Sequence, residues 1–171
     1  ANEKLLGEGL FLVLVNCQNT PPHILLSVHG KTFALSSKGV EMDGDLNSLL
    51  YLIKRKNIPT LFFPLYAPSV SSWQLLTEIM KTIFLPYERV EPGQITCLTP
   101  IKEFCRTVYQ MPLTNINFVF DLMPILSKNG YLGNGYHFNL DRQLKNGTYH
   151  FKKYGMNEVT EFISRSLVNV K

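Results

Sequence analysis

Two side chains in this sequence suit nucleophilic chemistry by type and placing: Cys97 at the mouth of a helix, and His23 at the start of a strand. The stretch from Phe84 to Tyr109 reads as a loop carrying Tyr87, followed by Cys97-Leu98-Thr99-Pro100 and a helix. Thr99 is a good N-cap, and Pro100 suits the first helical position, where its missing N–H costs nothing. Ile101, Phe104, Cys105 and Val108 then recur at helical spacing. Cys97 is therefore expected where unpaired N–H groups and the helix dipole favour a thiolate. Cys105, in mid-helix, gets no such help. A thiol also needs a base, and histidine is the usual one near neutral pH.

Four histidines are available. His23 opens a strand directly after Pro21-Pro22, a rigid approach that fixes its direction. His29 falls in a turn and is expected to be solvated. His137 and His150 belong to alternating C-terminal segments, where surface positions are the ordinary outcome. Cys17, in Asn16-Cys17-Gln18, is a second candidate nucleophile, but it follows a strand instead of opening a helix. No C-x-x-C or H-x-x-x-H spacing occurs, so neither a metal nor a cofactor is expected. Glu41-Met-Asp43-Gly-Asp45 reads as a solvated turn and helix cap, lacking the ligands that complete a calcium loop. No glycine-rich phosphate loop and no local pair of carboxylates is present. Asn146-Gly147-Thr148 matches a glycosylation sequon, a three-residue pattern common by chance.

The elements that must position these residues follow from periodicity and punctuation. Gly9 to Val15 is an unbroken apolar run, expected as a strand buried on both faces. His23–Val28 and Thr32–Ser36 flank His29-Gly30-Lys31 as an antiparallel hairpin. Asp45 caps a helix with Leu46, Leu49, Leu50 and Ile53 inward and Lys54-Arg55-Lys56 at its end. Thr60–Phe63 is another buried strand. Ser71 or Ser72 caps a helix with Trp73, Leu76, Ile79, Met80 and Ile83 on its packing face. Asn117–Met123 is expected as a strand or short buried segment stopped by Pro124. Tyr136–Leu140 and Thr148–Lys152 alternate as paired strands, and Asn157 caps a last helix with Val159, Phe162, Ile163 and Leu167 inward. The order is α+β in a single domain, residues 1–171.

The composition agrees. With 171 residues, 45% hydrophobic and 18% charged, the chain can bury a core without disulfides or metals. Its apolar runs are far too short to cross a bilayer, so no transmembrane segment is expected. A net charge of +4, with a single basic cluster at Lys54–Lys56, does not describe a nucleic-acid surface. Three cysteines form no disulfide framework and lean toward a reducing compartment. No signal-peptide pattern is visible, and cytoplasmic and exported forms are both compatible with the first residues. Oligomeric state is not legible.

The order of features resembles the circularly permuted branch of papain-like cysteine enzymes, which includes lecithin retinol acyltransferase-like proteins and permuted relatives of NlpC-type peptidases. His23-Ile-Leu-Leu-Ser-Val-His-Gly30 matches their histidine strand and glycine turn; Pro86-Tyr87 and Cys97-Leu98-Thr99 match the later tyrosine loop and cysteine helix. The resemblance spans roughly residues 9–110. It implies a central antiparallel sheet with the nucleophile-bearing helix packed on it, Cys97 as nucleophile, His23 as general base and Tyr87 beside the substrate or the oxyanion. The family's third polar residue, which orients the histidine, belongs on the returning strand, where this chain offers Leu35, Ser36 and Ser37. Two functions follow as expectations. One is a thiol-dependent hydrolase or acyltransferase acting on an amide or ester, with a cell-wall peptide or lipid acyl group as substrate. The other is a non-catalytic binding module on the same scaffold, with Cys97 a small buried hydrophobe.

Overall fold

The computed structural model describes residues 3–66 and 72–170. Its strands form one six-stranded antiparallel sheet, in the order β4-β3-β2-β1-β5-β6. β1 (Leu10–Val15) is central, and all six of its residues are buried. Strand alternation splits them between two cores. Leu10, Leu12 and Leu14 face one hydrophobic cluster, while Phe11, Val13 and Val15 face the other. A strand covered on both sides needs no polar face, which explains the unbroken apolar run.

β2 (His23–Val28) pairs with β1 from Val15↔His23 to Leu10↔Val28. β3 (Lys31–Ser36) returns beside β2 through a two-residue turn. His29 (φ 46°) and Gly30 (φ 81°) both take positive φ, as the tight hairpin turn matched to strand twist requires. β4 (Gly39–Asp45) extends the sheet beside β3. The sequence reading placed a solvated turn over most of that stretch. It is instead an edge strand with alternating exposure, and the register shifts between Thr32 and Ala34. Its many polar residues suit an exposed edge, where charge discourages pairing with another chain. β5 (Thr60–Pro64) flanks β1 on the other side, and β6 (Tyr136–Phe138) pairs with β5.

α1 (Glu3–Glu8) and α2 (Leu46–Arg55) cover one face: Leu6, Leu46, Leu50 and Ile53 pack against Phe11, Val13, Leu25, Ala34 and Phe62. The Asp45 carboxylate accepts from the backbone N–H groups of Asn47 at 3.2 Å and Ser48 at 3.0 Å, the cap expected from the sequence. The second face carries α3 (Trp73–Phe84), α4 (Thr99–Tyr109), α5 (Val119–Lys128) and α6 (Met156–Val168), which share the larger core. Ser72 caps α3, its hydroxyl accepting from the Leu75 N–H at 3.1 Å; Ser71 lies outside the described residues. The fold is therefore mixed α+β with a central antiparallel sheet. Among the described residues no helix is long and apolar enough to cross a membrane.

The C-terminal third departs from the sequence expectations. Residues 119–123 are the first half of α5, not a strand, and Pro124 lies inside that helix. Apolar residues at Val119, Leu122, Met123 and Leu126 carry a helical spacing that a five-residue window hides. Thr148–Lys152 is not a strand. β6 stops at Phe138 because Asn139 (φ 59°) turns away, its amide donating to the Ile53 and Ile58 carbonyls at 3.1 Å each. α6 begins at Met156 after Gly155, two residues ahead of the expected cap Asn157, and Glu158 reaches back to accept from the Gly155 N–H at 2.7 Å.

Candidate functional site

Cys97 is delivered by a short sequence of local hydrogen bonds. The Val90 N–H donates to the Ser36 carbonyl at 3.1 Å, which anchors the preceding loop to the end of β3. Glu91 and Ile95 then close a tight turn around Gly93, whose φ of 71° favours glycine. Cys97 follows in the turn that leads into α4. The Leu98 N–H donates to the Thr96 hydroxyl at 3.2 Å, and the Thr96 N–H donates to the Thr99 hydroxyl at 2.9 Å. Leu98 is the cap position, so Thr99 is the first helical residue and not the cap. The placing of Cys97 just ahead of the helix agrees with the sequence.

The thiol is not activated by that position. Burial pushes its proton affinity above the ordinary cysteine range, and nearby backbone N–H groups of Ile24, Cys97 and Leu98 offset this only in part. The sulfur lies 4.0 Å from the Pro22 carbonyl oxygen, the placing of a weak S–H donor. Desolvation therefore outweighs the helix terminus, and a neutral thiol is favoured.

His23 and Cys97 line the same cavity, about 240 Å³ in volume, between the ends of β2 and β3, the Cys97 turn, α5 and α6. Their chemical neighbours differ. His23 pairs with Val15 at the first position of β2. Cys97 packs against the larger core, with Ile24. Burial lowers the proton affinity of His23, and the charge it senses is the Glu41 carboxylate, which raises it in part. Burial is the leading cause of both shifts. The fold thus brings the two to one cavity without joining them as a charged pair. Ser36, which also lines the cavity, donates to the Gly39 carbonyl at 3.3 Å, so its hydroxyl proton is engaged within the β3–β4 turn.

Tyr87 is not a wall of this cavity. It lies in a separate groove between α3 and α4, with Ile79, Ile83 and Glu103. Burial, then the Glu103 carboxylate, raise its phenol above the ordinary tyrosine range. Cys17 is buried beneath Tyr149, whose hydroxyl donates to the Cys17 carbonyl oxygen at 2.8 Å. Burial raises its thiol too. Cys105 sits fully buried in α4, its thiol pushed up to about 12 by burial. His29 is exposed and stacks on Trp73 with ring centres 6.0 Å apart. His137 and His150 are exposed. Among the described residues no three His, Cys, Asp or Glu side chains gather as a metal site.

Most of the cavity wall is apolar and comes from residues the chemistry-led reading did not single out. Pro21, Pro22, Ile24, Leu35 and Leu98 form its floor with Cys97; Phe118, Val119, Tyr154, Val159, Phe162 and Ile163 form its other side. Tyr154 is nearly buried and crosses the Phe118 ring at 88°; burial, then the neighbouring Cys97, raises its phenol above the ordinary tyrosine range. Phe162, 45% exposed, stands at the mouth. Of the expected inward stripe of α6, Val159 and Ile163 are buried and Leu167 half-buried, while Phe162 is exposed, and the stripe does not by itself announce the wall of a hollow. Comparison of the chain with protein-family models, with curated proteins and with solved structures gave no match.

Proposed function

We propose that this domain binds an apolar molecule, or the apolar part of a larger one, in the cavity beside Cys97. This is the binding-module reading, and the observation that supports it best is a hydrophobic hollow built around a neutral thiol. A cavity whose wall is mostly apolar holds water poorly and gains free energy by taking an apolar guest. A cavity of about 150 Å³ accommodates benzene, so 240 Å³ suits a group of roughly ten heavy atoms. An acyl chain of that length is the natural class, and 1-decanol is a suitable probe. Calorimetric titration should show saturable one-to-one binding. Val159→Phe, which adds a ring to the cavity wall, should weaken it roughly tenfold or more while leaving the melting temperature near that of the parent. Equal affinity in the two proteins would refute the site.

A second reading keeps the thiol hydrolase or acyltransferase on a permuted papain-like scaffold. It is favoured by the shared cavity of Cys97 and His23 and by the Ile24 N–H at the sulfur. In it, the Cys97 sulfur attacks an ester carbonyl, His23 accepts the thiol proton, and the alcohol leaves as a thioester forms. With p-nitrophenyl decanoate, this predicts a burst of one nitrophenolate per chain and a decanoyl group on Cys97. Both should vanish in Cys97→Ser and fall in His23→Ala. A rate no greater than that of Cys97→Ser leaves binding as the function.

A further inference from the structure

One wall of the cavity is held differently from the rest. Of the thirteen residues of α6, Val159 and Ile163 are the buried ones. Among the described residues, every hydrogen bond and ion pair of its side chains closes on the helix itself or its own cap. Ser164 donates to the Thr160 carbonyl, Ser166 to the Ile163 carbonyl, Arg165 pairs with Glu161, and Glu158 accepts from Gly155. Among the described residues, the helix is therefore attached to the sheet layer by apolar contact. The cavity lies under that contact, at Val159, Phe162, Ile163 and Ser166, which recur at i, i+3, i+4 and i+7. This is the anchor pattern of a helix lying in a groove. The chain leading into it, residues 139–155, contains no helix or strand. An element with few buried contacts and no polar ties is the first to open locally.

We propose that α6 is a lid hinged at Gly155, which swings away to admit an apolar ligand and is held down by the ligand once bound. The proposal rests on the binding reading above, and it adds how the site is reached. The mouth at Phe162 is the seam along which the lid parts. Ligand and lid then share one apolar surface, so occupancy adds contacts that the empty cavity denies to Val159 and Ile163. Binding and closure become a single linked equilibrium.

Hydrogen exchange on the full-length chain, with alkylation of Cys97 by iodoacetamide followed by peptide mapping, separates the two ideas. In the free protein, amides of 156–168 should exchange as a group, faster than those of β1 and β2. Ile163→Ala and the milder Val159→Ala should speed both α6 exchange and Cys97 alkylation, the first by roughly tenfold or more, with β1 and β2 unchanged. Saturating 1-decanol should slow both in the parent protein. Exchange of α6 at the rate of β1, with alkylation indifferent to either substitution, overturns the lid. Opening of α6 that follows the substitutions but ignores decanol supports the lid and refutes the binding reading.

Discussion

At the scale of single residues, the thiol and the imidazole are governed by burial more than by each other. Cys97 is held protonated by desolvation, so its alkylation should be slow at pH 6 and rise only toward and above the ordinary thiol range. His23→Ala should leave that profile unchanged. Fast alkylation at pH 6 that disappears in His23→Ala would show a functional pair and favour the enzyme reading. The lowered proton affinity of His23 has its own consequence for stability. Below about pH 6.5 the unfolded chain takes up this proton more readily than the folded one. The stability present above that pH is therefore lost as pH falls through it. Denaturant midpoints measured from pH 8 to pH 5 should drop less steeply in His23→Gln than in the parent. Parallel curves would show that His23 is not the group responsible. The sequence correctly placed Cys97 ahead of a helix and His23 at a strand start, since both follow from local punctuation. It could not reveal that burial dominates both groups, because burial is set by the packing of distant elements.

At the scale of elements, legibility tracked the strength of the local signal. β1, β2, the His29-Gly30 turn and α2 were readable because apolar runs, turn residues and the Asp45 cap all agree. Asp45→Ala should cost about 1 kcal/mol, read as a shift in the urea midpoint, because two N–H groups at the start of α2 lose their acceptor. An unchanged midpoint would mean that water replaces the carboxylate without loss. β4 was missed because Glu41, Asp43 and Asp45 look like a loop until they are seen as the outer edge of a sheet. Here Lys31 and Lys81 both reach Asp43 at 3.0 Å, and the Thr32 hydroxyl donates to Glu41 at 2.7 Å. α5 was misread because Pro124 argued for a stop. The Thr148–Lys152 strand failed for a different reason: the Tyr149 hydroxyl donates to the Cys17 carbonyl and its ring crosses Phe151, and the segment does not pair with β6, although β6 is an edge strand.

At the scale of the whole molecule, the sheet has two unlike faces. The α1–α2 face packs around Phe11, Phe62 and Leu25, while the four-helix face includes the hollow floored by Ile24, Leu35 and Leu98. That hollow arises where α5, misread from the sequence, and α6 come over the ends of β2 and β3. Burying a guest there stabilises the folded state by mass action, so 1-decanol should raise the melting temperature in a concentration-dependent way. A melting temperature indifferent to decanol would count against binding to the native fold. The most direct test is a methyl-labelled NMR titration with 1-decanol. Binding in the cavity predicts shifts and ligand contacts at Ile24, Leu35, Val119, Val159 and Ile163, with Leu50 and Ile53 on the other face unmoved. Shifts spread over both faces, or none at the cavity methyls, would contradict it.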